Sequence, residues 1–309
     1  MSPKAVRIFN FDNSVVSQGG LIQEYHPAIV DVLQLGPWCR HWAKDTFREK
    51  IQSFLDPAFK NSVTFLGSGD FHHVSSLLTG QFSEPLSVIV FDNHPDWDIL
   101  PPRLGCGSWV SRVLEQKNVK KVVIIGVSTD DISTFSIQTG NLNALRDNRL
   151  ELYPYRHKPT KVFLRSVPRS VSIETRKHLF FTEIIWKELA GDLRVERLKS
   201  IFNELPTDNV YVSIDKDCLN AEYALTNWEE GQLKLEELIS MLKQIQQKHK
   251  VIAADITGEY SDPEYRGGIK KLLSHFDHPH NYSARGASKE SVQEINQNTN
   301  LALCRQLCL

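Results

Sequence analysis

No run of about 18 apolar residues occurs in this chain of 309 residues, so it offers no segment of the length a membrane-spanning helix needs. Charge of one sign is equally lacking. Its 36 Lys and Arg face 37 Asp and Glu, and a net charge of -1 gives neither nucleic acid nor an anionic membrane a basic footprint. The start of the chain, Met1 to Val6, lacks the apolar segment of a secretory signal, from which a cytoplasmic location is expected. Cysteines are few, odd in number and scattered (Cys39, Cys106, Cys218, Cys304, Cys308), with no C-x-x-C pair, a pattern of reduced thiols rather than of disulfides or a structural zinc site. Repeats, low-complexity tracts and clear linkers are also missing. What remains is the profile of a soluble, enzyme-sized chain whose length suffices for a large core without staples.

Short strands rich in Val and Ile alternate with amphipathic stretches. Candidate strands are Val63 to Leu66, Leu86 to Phe91, Lys121 to Gly126, Val210 to Ile214 and Val251 to Ile256. Helical spacing marks Trp109 to Gln116, Leu193 to Leu205 and Leu233 to Lys248, the last with Leu235, Leu238, Ile239, Leu242 and Ile245 on one face. Such alternation predicts an α/β fold with a mostly parallel sheet covered on both sides. The expected organisation is a single domain over 1–309, with an insertion near 140–171, where polar residues and Pro154, Pro159 and Pro168 collect. The tail beyond Gly258 reads as loop-rich with a short helix-like end, and its His275, His278 and His280 have no motif around them.

Three strand ends carry the chemistry. Val63 to Leu66 runs into Gly67-Ser68-Gly69-Asp70-Phe71-His72-His73, Leu86 to Phe91 into Asp92-Asn93-His94-Pro95-Asp96-Trp97-Asp98, and Val210 to Ile214 into Asp215-Lys216-Asp217. Carboxyl ends of parallel strands are where ligands bind in open α/β sheets. A single Asp there is ordinary turn chemistry, whereas three clusters at one edge point to a shared site. Carboxylates converging in a partly buried place cannot all stay ionised without cations. Two divalent ions would meet that need, and oxygen-rich ligation with some histidine and no cysteine favours Mn(II), with Fe(II), Co(II), Ni(II) or Zn(II) as substitutes. Two such ions can lower the pKa of a shared water, which implies hydrolysis.

In this order the clusters resemble the metal-binding motifs of the ureohydrolases: arginase, agmatinase, formiminoglutamase and relatives. Asp92 to Asp96 resembles Asp-Ala-His-x-Asp, Ser213 to Asp217 resembles Ser-x-Asp-x-Asp, and Gly69 to Ser75 resembles Gly-Gly-Asp-His-Ser with Phe71 inserted. Val122 to Asp131 is similar to the family strand ending in Ile-Gly-x-Arg-x-x-Asp, with Ser128 in place of the arginine. Asp255 to Glu259 is similar to Asp-x-x-Glu with one extra residue. The resemblance spans roughly 60 to 265 and implies a three-layer α/β/α fold with about eight strands. It implies one ion on His72, Asp92, Asp96 and Asp215 and another on His94, Asp92, Asp215 and Asp217, with His73 as a neighbour of the first set. It also implies a homo-oligomer, a small and cationic substrate, and hydrolysis of a linear amidine, guanidino or formimidoyl C–N bond.

Several positions depart from the family. Cys106 stands where arginases and agmatinases carry a proton-shuttling histidine, which formiminoglutamase-like members also lack. The family's Asp-Pro becomes Asn220-Ala221, and its glycine-rich segment becomes Thr226 to Gly231. Cys106 and Glu259 are therefore the candidate catalytic groups, with Asp98, Trp109 and Glu259 as candidate substrate-binding residues. Trp97 and Trp228 are further candidates for the pocket wall. Two other readings stay open: a deacetylase of the same fold using one ion and the pair His72-His73, and a non-catalytic metal-binding protein.

Overall fold

The computed structural model describes residues 4–308 except 103, 168, 192–193, 267, 269 and 272–287, so Pro168, Leu193, His275, His278 and His280 lie outside the described residues. Its centre is an eight-stranded sheet built from β1 (Val6–Asn10), β2 (Ala28–Asp31), β3 (Val63–Ser68), β4 (Leu86–Phe91), β5 (Val119–Ile125), β6 (Leu150–Tyr153), β10 (Asn209–Asp215) and β11 (Lys250–Glu259). The spatial order is β2-β1-β3-β11-β10-β4-β5-β6, with every neighbouring pair parallel. Each residue of β3 and of β4 is buried, as strands covered on both faces must be.

Alternation along β4 divides the core in two. Val88 and Val90 pack on one face with Trp109, Val110 and Val113 of the helix Trp109–Leu114. Ile89 and Phe91 pack on the other, with Leu198 and Phe202 of Arg194–Asn203, Leu238 and Leu242 of Leu235–Lys248, and Leu303 and Leu307 of Lys289–Leu307. The molecule is thus a three-layer α/β/α sandwich. Among the described residues no helix is long and apolar enough to cross a membrane.

Strand order fixes the site. β3, β11, β10 and β4 are consecutive, and the register sets Phe91 opposite Ile214. Asp92 and Asp215, the next residues along, leave the sheet side by side.

The structure corrects the reading of 140–171. Residues 142–153 hold a short helix, Leu142–Arg146, and the edge strand β6, whose Leu150 and Leu152 are buried. An antiparallel excursion begins inside the range 140–171 and extends beyond it, as a three-stranded sheet of β7 (Thr160–Val162), β9 (Thr182–Trp186) and β8 (Ile173–Lys177) in that order. Nor is the final helix short: Lys289–Leu307 spans 19 residues. Its weak apolar stripe is explained by the polar Asn296 and Asn300, both buried. Leu303→Ala, which empties a fully buried position of that helix, is expected to cost about 2–5 kcal/mol in urea unfolding, against less than about 0.5 kcal/mol for the exposed Val195→Ser.

Candidate metal centre

β3 ends in a tight helical turn, Gly69–Val74, that delivers His72 to the sheet edge. Its Nδ1 lies 3.1 Å from Asp92 Oδ2, 3.3 Å from Asp96 Oδ2 and 3.5 Å from Asp215 Oδ2. The other ring nitrogen, Nε2, meets Ser213 Oγ at 2.8 Å, and Ser213 Oγ in turn donates to Asp255 Oδ1 at 2.7 Å. Tyr211 donates to the second oxygen of Asp255 at 2.6 Å. A carboxylate only accepts, so Ser213 gives its proton to Asp255 and takes one from His72 Nε2. In the neutral ring this leaves the Nδ1 lone pair facing three carboxylates. Nδ1 and Asp92 Oδ2 are buried with no hydrogen bond. Two electron-rich atoms aimed at a common point fit a cation between them, and a relay like Ser213–Asp255 is the kind of outer support that orients a histidine able to hold a metal.

A second group adjoins the first. His94 Nδ1 is 2.9 Å from Asp217 Oδ2 and 3.7 Å from Asp92 Oδ1. Ligand atoms of His72, Asp92 and Asp96 all lie within 4.8 Å of one another, as do those of Asp92, His94 and Asp217, so the two groups share Asp92. Asp215 adjoins the first group through His72, and its Oδ1 accepts from the Asp217 backbone N–H at 3.0 Å.

The local backbone serves these positions. Asp96 sits in the left-handed region at φ +48°, a conformation Asp tolerates better than most residues, and Trp109 Nε1 donates to its Oδ2 at 2.7 Å. Gly258, at φ +85°, passes so near Asp215 Oδ1 that a Cβ there would collide with it.

Electrostatics show what the cluster lacks when no ion is bound. Burial and the neighbouring Asp92 push Asp96 up to about 7 and Asp217 up to about 6. Burial, with Asp217 and Asp92, raises Asp215 well above the usual carboxylate range. For His72, burial is outweighed by Asp92 and Asp96, and for His94 by Asp217 and Asp92, so both are raised.

Several expected residues are placed elsewhere. Trp109 is fully buried behind Asp96, its ring 4.5 Å from that of His72, so it supports the cluster instead of lining the cavity. Glu259 is buried as well. It accepts from Lys216 Nζ at 2.5 Å, Asn300 Nδ2 at 2.6 Å and Gln18 Nε2 at 3.1 Å, and it does not line the cavity. β11 and β3 shift register twice here, at Ile256/Thr257 and at Thr257/Glu259, and the two shifts cancel, so Glu259 pairs with Ser68 in the register of the strand before it. His73 is buried with both ring nitrogens lacking hydrogen bonds, and burial lowers it to about 3. It does not line the cavity, which removes the His72-His73 pair from that surface.

A cavity of about 430 Å³ opens over the cluster, lined by Asp92, Asp96, Asp215 and Asp217 together with Asp98, Cys106, Asp131, His41, Trp42, Trp97 and Trp228. Asp98 is fixed there: its Oδ1 accepts from Thr139 Oγ1 at 2.8 Å and its backbone N–H donates to Gly107 O at 3.0 Å. Cys106 is half-buried, and burial with Asp96 and Asp70 raises its thiol, keeping it protonated.

Sequence reasoning missed two neighbours of this surface. Glu229 Oε2 lies 3.3 Å from His94 Nε2, and His41 Nε2 is 3.1 Å from Tyr265 OH with its ring edge-on to Trp228. Neither sits in a motif, although Glu229 lies in the segment that replaces the family's glycines. Asp70, inside the first motif, pairs with Arg40 at 2.5 Å.

The buried charges govern stability in two measurable ways. Lys216→Met strands Glu259 without its cation and is expected to cost about 3–5 kcal/mol in chemical denaturation. Asp96, Asp217, His72 and His94 all bind protons more tightly folded than unfolded, so stability of the ion-free chain falls as pH rises through their folded values. Its melting temperature is expected to drop between about pH 5 and pH 7.5, whereas added Mn(II) raises it more at the higher pH because ligands must be deprotonated.

No family model matches the chain. An uncharacterized protein of Thermotoga maritima is 27% identical over 203 residues, 66% of this chain and 60% of that relative, so the chain spans less than two thirds of the relative's length. Among solved structures, formimidoylglutamase from Bacillus subtilis superposes with a TM-score of 0.55 at 14% identity, covering 99% of this chain and 87% of that one. Proclavaminate amidino hydrolase from Streptomyces clavuligerus gives 0.55 at 15% identity, covering 96% and 92%. Sheet order, layering and these superpositions agree: the chain has the arginase/ureohydrolase fold.

Proposed function

We propose that this protein is a binuclear-metal hydrolase of a linear, non-peptide C–N bond in an amidine, guanidino or formimidoyl compound. The observation that carries the reading is the pair of ligand groups joined through Asp92. His72, Asp92, Asp96 and Asp215 would hold one ion and His94, Asp92, Asp215 and Asp217 the other. Mn(II) suits their oxygen-rich donors. When bound, two divalent ions supply charge neutralisation and an activated water for attack on an electrophilic carbon.

The chain's own groups do the rest. Ser213 and Asp255 hold His72 in one tautomer, and Trp109 holds Asp96. Asp98, pinned by Thr139, orients a cationic nitrogen of the substrate, the part that Glu259 is too engaged to play. Trp42 and Trp228 supply flat apolar surface beside the reacting centre. Cys106, kept protonated, holds a proton next to the cavity for the departing amine. The superposed amidino hydrolase and formimidoylglutamase support the choice of bond.

Metal analysis of protein loaded with Mn(II) is expected to give two ions per chain for the wild type and at most one for Asp92→Asn. The loaded protein, screened on guanidino, amidino and formimidoyl compounds, is expected to release urea, ammonia or formamide. Asp98→Asn should raise KM for cationic substrates about tenfold with little change in kcat. Full occupancy with no turnover across the panel would overturn the catalytic reading and leave a metal-binding protein.

A further inference from the structure

No residue of the strands β7, β9 and β8 lines the cavity, and among the described residues the outer side of the edge strand β8 is open. Among the described residues β8 pairs only with β9. The direction of its free backbone groups is set by its flanks. Lys187 N–H donates to Ser172 O and His178 N–H to Phe181 O, so the even-numbered residues bond towards β9. Ladder bonding alternates, so Ile173, Thr175 and Lys177 point their N–H and C=O groups outwards. An exposed row of this kind is a template for another strand.

We propose that the occupant is the same edge of a second copy of this chain, paired antiparallel about a two-fold axis through Thr175. Charge selects this register. With Thr175 opposite its own copy, Glu174 of each chain faces Arg176 of the other, at non-hydrogen-bonded positions where opposed side chains come closest. Centring the axis on Glu174, Arg176 or Lys177 sets identical charges opposite each other instead. Arg176 also lies 3.8 Å from Glu183 of its own chain while remaining largely exposed, so a second carboxylate can join it from the other side.

Apolar exposure obeys the same symmetry. Leu179, 89% exposed in the bend after β8, and Val171, 43% exposed in the turn before it, flank the two ends of the strand, and the axis through Thr175 brings the end of one copy that carries Leu179 to the end of the other that carries Val171. Phe180, 78% exposed at the tip of the β8–β9 hairpin, lies beside them. The pairing joins two three-stranded sheets into one of six strands. It is independent of the proposed hydrolysis, and its test does not need a substrate.

Sedimentation velocity on the full chain at tens of micromolar is expected to show a dimer. Glu174→Arg and Arg176→Glu should each sediment as monomers, because each sets like charges opposite each other in a self-pair. Mixed in equal amounts they should recover the dimer, because the two variants are complementary to one another. Unchanged melting temperatures would show that both fold. Thr175→Cys gives a second reading in the otherwise native chain: equivalent positions in a hydrogen-bonded pair lie about 5.5 Å apart, within reach of a disulfide, so mild oxidation should yield a covalent dimer that reductant reverses. A monomeric wild type, single variants that stay dimeric, a mixture that stays monomeric, or the absence of the crosslink would each overturn the proposal.

Discussion

Asp92 stands between two imidazoles, with Oδ2 3.1 Å from His72 Nδ1 and Oδ1 3.7 Å from His94 Nδ1. Three further carboxylates crowd the same volume, and burial with mutual repulsion raises all three. Without positive charge at the centre, protons must substitute for it, on histidines and on aspartates alike. A cluster built only for stability would not be arranged like this, because well-packed apolar groups would serve at least as well. The carboxyl edge of this sheet is therefore organised around the charge it can accept.

The rest of the fold keeps these groups from relaxing. β10 contributes at three successive outward positions: Tyr211 and Ser213 clamp Asp255, and Asp215 enters the cluster. Period-two alternation puts all three on one face, so a single strand provides a candidate ligand, the support of another candidate and the anchor of that support. On the same face of the sheet, Trp109 ties Asp96 to the helix after the second motif. The geometry of the cluster is thus set by a central strand and the helix packed over it, which is what a preorganised centre requires.

Central strands and ligand motifs are legible in the sequence because both are local. β4 is readable from the apolar run Val88 to Phe91 with Leu86 before it, and the D-x-H-x-D pattern from Asp92, His94 and Asp96 directly after it. Outer strands β1, β2 and β6 carry weaker signals, and the last helix hides its buried face behind Asn296 and Asn300. The support of His72 cannot be read at all, because it depends on Ser213 and Asp255 being neighbours, a fact of strand order with no trace in spacing. Trp109 misleads for a related reason: its position in the chain is close to the cavity, but the helix it opens turns it inwards beneath Asp96.

Glu259 is held in a structural role. Gly258 makes room for Asp215 Oδ1, and the glutamate that follows is surrounded by Lys216, Asn300 and Gln18. Lys216 sits between the candidate ligands Asp215 and Asp217, so the buried ion pair fastens the third motif to β11 and, through Asn300, to the final helix. A carboxylate committed to that role cannot also meet a substrate cation, since exchanging Lys216 for a ligand would leave a buried ammonium unpaired. The carboxylates still open to the cavity, other than those of the cluster, are Asp98 and Asp131. Of these Asp98 is held by a side-chain and a backbone hydrogen bond, whereas Asp131 is half exposed, so the fixed carboxylate of the cavity wall belongs to the loop after the second motif and not to the end of β11.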